Sequence, residues 1–220
     1  AVSAPVLASE SVHLDKFPTE KMQSMPALQD GARTFVNYCL NCHSASMMRF
    51  NRLQDIGLTD EQISGSLQFT EGRVGDLMKV AMRHEDGKAW FGAAPPDLSV
   101  EARARASESG SGADWIYTYL RSYYRDGSRE TGWNNAIFPN VGMPNPLWQW
   151  QGMRGAVEER VAPVTDEATG KVTGWTKTTI TYDREGNKSE KVEKVDGDGL
   201  HEGTHFTLGT PEGGTLSQAE

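Results

Sequence analysis

Cysteine is scarce in this chain, with two residues in 220. That excludes a disulfide framework and a Cys-rich metal cluster. Long apolar runs are missing as well. None approaches the ~18 residues of a membrane-spanning helix. Positive charge is in deficit: Lys and Arg number 22 against 30 Asp and Glu, a net charge of −8. The basic footprint of a nucleic-acid binder is therefore absent, and a partner carrying positive charge is favoured. The chain does not start with a basic-then-apolar stretch, so a signal segment is expected to have been removed.

What is present is unevenly spread. Residues 156–220 hold 13 acidic and 7 basic side chains, whereas residues 1–155 hold 17 and 15. All eight Met, five of the six Trp and both Cys lie in the first part. Three segments are expected on this basis. Residues 1–155 form the main domain behind an N-terminal arm over 1–25. Residues 156–212 form an acidic, β-rich region. Residues 213–220 begin a helix, because Ser217-Gln218-Ala219-Glu220 is a capping box.

Helical spacing and start signals place the main elements. Leu28, Ala32, Phe35 and Val36 recur at helical intervals behind Pro26, predicting a helix to about Leu40. Thr59-Asp60-Glu61-Gln62 is a capping box for a helix to about Leu67. Residues 74–83 read as helix or loop. Asp97, after two prolines, is placed to cap a helix through about Arg105. Residues 107–112 are a turn, and Asp114 opens a helix to about Tyr124. Residues 133–152 read as an ordered irregular loop. From Arg160 the texture turns to β, with strands at 173–182 and 188–195 around the turn Arg184-Glu185-Gly186-Asn187.

One motif carries chemistry. Cys39-Leu40-Asn41-Cys42-His43 has the spacing of c-type haem attachment. Two thiols on one turn of chain can each add to a haem vinyl group, and the adjacent His offers its imidazole to iron. A thioredoxin-like pair would need a βαβ setting, which is not visible. A zinc site needs further soft ligands. A disulfide across so short a loop would stabilise little.

A sixth ligand is then wanted, and a thioether paired with His raises the reduction potential while closing the iron to oxygen. Met47 and Met48 stand too close to His43, and Met78 and Met82 read as core. Met143 stands out, between Gly142 and Pro144 in a loop that prolines stiffen. The alternative, that Met143 fills a packing gap, stays open.

These residues resemble the cytochrome c1 family, the haem subunits of quinol–cytochrome c reductase. The likeness covers roughly residues 10–152. It rests on Cys39 to His43 and on Ala94-Pro95-Pro96-Asp97-Leu98-Ser99. It rests also on Arg103-Ala104-Arg105, on Asp114-Trp115-Ile116 and on Phe138-Pro139 with Gly142-Met143-Pro144. The resemblance implies a mainly α c-type cytochrome haem domain with long irregular loops, and an inserted β-hairpin region near the C-terminus. It implies one covalent haem c held by Cys39 and Cys42, with His43 and Met143 as axial ligands. Arg105 would pair with a propionate, for which a guanidinium is well shaped. Pro96, with Pro95, would wall the haem edge, and Trp115 would take the place of a propionate-binding tyrosine. Arg103 is read as a solvated residue.

The implied function is one-electron transfer from a Rieske iron–sulfur subunit to a soluble cytochrome c. Cytochrome b is the further partner, on the periplasmic side of a bacterial inner membrane. The family ends in a membrane anchor after a last helix, so this chain is expected to stop short of both. The acidic excess suits steering of a basic cytochrome c or simple solubility. His201-Glu202-Gly203-Thr204-His205 matches H-E-x-x-H, but the glycines around it oppose the helix that motif needs. A free-standing electron carrier and a haem-based sensor with a displaceable Met143 are the other classes.

Overall fold

A computed structural model describes residues 13–69, 71–197 and 201–216. Among them the chain divides into two compact units. The first is Leu14–Thr118; the second holds His13 and the described residues from Tyr119 onward.

In the first unit, α1 (Met25–Thr34) starts as its residues dictate. Ser24 accepts from the Ala27 N–H, and Pro26 sits in the first turn, where a missing donor costs nothing. The helix runs on as one widened turn, Phe35–Cys39, so the helical reading to about residue 40 holds. Strand β1 (Ala45–Arg49) pairs antiparallel with β2 (Leu77–Met78). Helix α2 (Asp60–Ser66) carries the expected capping box, with Thr59 and Gln62 satisfying each other's backbone N–H. Helix α3 (His84–Phe91) was not foreseen. The core is Val36, Ala45, Phe50, Ile63, Leu67 and Met78, ringed by Phe35, Leu40, Leu53, Leu58 and Val74. Burial of each large apolar side chain there contributes about 1.5–3 kcal/mol.

Two helix readings need correction. Asp97 caps no helix: α4 is only Glu101–Ala104, with Val100 before it. The Asp97 carboxylate is spent instead on the Ser46 and Ser99 N–H groups. Helix α5 spans Gly112–Arg121 and does not reach Tyr124. Ser111 and Asp114 close its first turn reciprocally, each backbone N–H donating to the other's side chain. Tyr123 leaves the helix because strand β3 (Tyr123–Arg125) pairs with β4 (Trp133–Asn135). Non-local pairing has overridden helical pattern here.

In the second unit, α6 (Trp148–Gln151) is a single turn. A four-stranded antiparallel sheet follows, in the order β7-β6-β5-β8. Its strands are β5 (Ala156–Thr165), β6 (Val172–Tyr182), β7 (Lys188–Val195) and β8 (Gly203–Leu208). The hairpin expected at 173–182 and 188–195 is β6–β7, with Tyr182 opposite Lys188. Strand β5 begins at Ala156, at the expected edge of the β-rich region and four residues before the change of texture read at Arg160. Tyr124, Ala156, Ile180 and Tyr182 pack with Phe206 and Leu208 at one end of the sheet, while most of β7 is exposed.

The fold is mixed rather than mainly α, at 30% helix and 26% strand. The sequence signalled one hairpin, and the structure builds a sheet of four strands from 156 onward. His201 and Glu202 lead into β8, and His205 lies in it opposite Glu159, so the H-E-x-x-H stretch is extended. Residues 213–216 are not helical. The capping box Ser217–Glu220 and residues 1–12 of the N-terminal arm lie outside the described residues. Within the rest of the arm, Thr19–Gln23 forms a short turn of 3-10 helix and Leu14 is buried. Among the described residues no helix is long and apolar enough to cross a membrane.

Candidate functional site

The Cys39–His43 turn hangs on the end of the widened helical turn. The Cys42 and His43 N–H groups both donate to the Cys39 carbonyl, at 3.0 and 2.9 Å. Such single-turn π segments are frequent at functional sites. Both thiols are free and half-buried. Burial pushes both thiol pKa values up, and the neighbouring Cys42 adds to the effect at Cys39. Neutral thiols of this kind lack the lowered pKa of a reactive redox pair.

His43 is buried, and its Nδ1 lies 2.8 Å from the Pro96 carbonyl. A carbonyl only accepts, so Nδ1 carries a proton, and in the neutral imidazole Nε2 then keeps its lone pair. That is the arrangement a metal-ligating histidine uses to fix its tautomer and orientation. Pro96 thus touches His43 through its backbone oxygen, a contact that its side-chain type did not signal.

The rest of the Pro-Pro-Asp-Leu-Ser block is laced to the chain beyond His43. The Leu98 N–H donates to the Ser44 carbonyl at 2.7 Å. The Ser46 N–H donates to Asp97 Oδ2 at 2.9 Å, and the Met47 N–H to Ser99 Oγ at 3.0 Å. Hydrogen bonds from Ser46 and Ser99 hold the Asp97 carboxyl well below the usual carboxylate range. Sequence reasoning missed Asp97 and Ser99 as positioning residues, because their partners lie some fifty positions away.

Arg105 and Trp115 are brought together. The guanidinium carbon lies 4.4 Å from the indole centroid, while Nε donates to Glu101 Oε1 at 2.6 Å. Gly112 permits this approach. A Cβ there would stand 1.7 Å from the Ala102 carbonyl oxygen, so only glycine lets α5 start against α4. Arg103 is exposed, as its reading required.

Met143 belongs to the second unit, and the other candidate residues to the first. Its loop is held by asparagine side chains. Asn134 Oδ1 accepts from the Asn135 and Asn140 N–H groups, at 2.9 and 2.8 Å. Asn135 Oδ1 accepts from Ile137 and Phe138, both at 3.1 Å. Asn145 Oδ1 accepts from Leu147 at 2.9 Å. Asn140 takes a left-handed φ of 63°, which asparagine tolerates. Met143 itself is half-buried against Tyr123, Trp133 and Val141, with the Tyr119 hydroxyl 3.6 Å from its sulfur.

The donor set therefore fits a c-type haem. Two free thiols sit one turn apart, beside an imidazole whose Nε2 is left as the acceptor. The profile of the cytochrome C1 family matches residues 18–159. The chain belongs to the cytochrome c1 family. Its members are c-type haem proteins with covalently bound haem. The chain is 50% identical over 152 residues to the ammonia monooxygenase gamma subunit of Nitrosomonas europaea. It is 42% identical over 151 residues to cytochrome c1 of Allochromatium vinosum. Those matches cover 68% of this chain, and 62% and 57% of the two relatives. A mitochondrial cytochrome c1 of Neurospora crassa is 26% identical over 168 residues, 64% of this chain and 49% of that protein. The chain thus spans less than two thirds of the length of these relatives. Every candidate haem residue lies inside the segment that the cytochrome c1 profile matches, and β6, β7 and β8 lie outside it.

Proposed function

We propose that this chain is a one-electron carrier, with a single haem c bound through Cys39 and Cys42. His43 Nε2 and the Met143 sulfur would hold its iron. The haem, when bound, supplies the one-electron couple. The Pro96 carbonyl fixes the imidazole, the Met143 loop holds the thioether, and Arg105 with Trp115 is placed to meet a propionate. No general base or nucleophile is required. The observation that carries the reading is the His43–Pro96 contact, which leaves one ring nitrogen as acceptor directly after the Cys-x-x-Cys turn.

In this reading the electron comes from a Rieske iron–sulfur subunit and leaves to a soluble cytochrome c, within quinol–cytochrome c reductase. Cytochrome b is the further partner. The site faces the bacterial periplasm. Residues 1–155 form the haem domain and 156–212 an inserted region. Membership of the cytochrome c1 family supports this assignment. The name of the Nitrosomonas europaea relative supports a second one, a haem subunit of an oxygenase assembly. Co-purification from membranes with a cytochrome b and an iron–sulfur protein separates the two.

The spectrum of the haem-loaded protein tests the ligands. A near-infrared methionine–iron band is expected in the wild type and absent in Met143→Ala. A band that survives the substitution removes Met143 from the reading. Ready binding of carbon monoxide by the reduced wild type would replace the carrier with a sensor.

A further inference from the structure

The Met143 sulfur is not left to packing alone. Tyr119, near the end of α5, places its hydroxyl 3.6 Å from that sulfur. The Tyr123 hydroxyl donates to the Tyr119 oxygen at 2.8 Å. The two rings meet edge to face, with centroids 5.4 Å apart, and Phe138 flanks Tyr119 at 6.2 Å. Both phenols are thereby held in place.

The direction of the relay follows from counting protons. A phenol has one hydrogen to give. The buried Tyr123 hydroxyl spends its hydrogen on the Tyr119 oxygen. The Tyr119 hydroxyl then has its own hydrogen for the sulfur. Accepting one hydrogen bond strengthens its donation of the next.

We infer that Tyr119, supported by Tyr123, is a positioning residue that raises the reduction potential by hydrogen-bonding the Met143 sulfur. This rests on the reading of Met143 as an axial ligand. A thioether sulfur has two lone pairs, one for a metal and one to accept a hydrogen bond. A hydrogen bond draws electron density from the sulfur and weakens its donation to iron. Weaker donation disfavours the oxidised state more than the reduced one, so the potential rises. The hydrogen bond also limits the rotation of a flexible side chain, which keeps the sulfur aimed.

The test is a spectroelectrochemical titration of the haem-loaded protein as wild type, Tyr119→Phe, Tyr123→Phe and Tyr124→Phe. Tyr124 is a buried phenol of a different cluster, so it controls for packing alone. In Tyr119→Phe the equilibrium for reduction should fall about fivefold, which is about 40 mV at ~59 mV per tenfold for one electron. Tyr123→Phe should lower it about twofold, and Tyr124→Phe should leave it in place. If Tyr119→Phe takes up no haem, Tyr123→Phe carries the test. A wild-type potential in Tyr119→Phe, with the near-infrared band intact, overturns the inference and spares the ligand reading. An equal fall in Tyr124→Phe overturns it too. Absence of the band from the wild type overturns the ligand reading, and this inference with it.

Discussion

The segment after His43 is held by another stretch of chain. Four contacts spread along it meet residues 96–99: His43 to Pro96, Leu98 to Ser44, Ser46 to Asp97 and Met47 to Ser99. Among the described residues, the loop around Met143 has no such companion strand. Asn134, Asn135 and Asn145 supply most of its backbone acceptors from their side chains. The difference lies in how risk is distributed. A laced segment loses one contact in four when one side chain is cut. A loop pinned by two adjacent asparagines loses several at once.

Asn135→Ala is the strongest way to break the contrast. Asn135 is fully buried, accepts from Ile137 and Phe138, and donates to the Tyr119 carbonyl at 2.8 Å. Its removal leaves three polar groups to find new partners, at about 1 kcal/mol or more each. A loss of about 3 kcal/mol is expected in denaturant unfolding. The methionine–iron band should weaken with it. A loss under about 1 kcal/mol would mean that prolines, not asparagines, hold this loop.

Asp97→Asn should do less, and its effect should depend on pH. The Asp97 carboxyl titrates below its ordinary value in the folded chain, through hydrogen bonds from Ser46 and Ser99. A lowered folded pKa contributes stability above the unfolded value of about 3.9. That stability is lost as pH falls below it toward the folded value. Wild type should therefore lose melting temperature between about pH 4 and pH 2 more steeply than Asp97→Asn. At neutral pH the variant should be the less stable of the two. Parallel curves would show that the carboxylate is not what binds the two segments.

The same contrast explains what could be read from the sequence. Cys39 to His43 needs one turn of chain, so its spacing alone was informative. The Thr59–Gln62 box and the Tyr182–Lys188 hairpin are equally local, and both are present. Asp97 misled because its local pattern is that of a helix cap, while one of its partners, Ser46, is 51 positions away. Tyr123 and Tyr124 continue a helical pattern, yet pair with Asn135 and Asn134 across a bend. Strand β8 carries a glycine at its start and finds its partner some forty to fifty residues earlier, in β5. Asn134 and Asn135 read as loop composition, and nothing in sequence separates an asparagine in solvent from one that organises a buried turn.

The smallest expected effect sharpens the comparison from the His43 side. Pro96 meets the imidazole through its carbonyl oxygen, which every residue type possesses. Pro96→Ala should therefore keep the hydrogen bond, the near-infrared band and the potential. Stability should fall by less than about 1 kcal/mol, because alanine only restores freedom to the unfolded chain. Melting curves and a redox titration of the haem-loaded variant measure both. A shifted potential at unchanged stability would assign the proline ring a role of its own, as a wall that excludes water from the haem edge. An unchanged potential would leave the ring out, and the histidine would owe its orientation to backbone alone, where the methionine owes its own to side chains.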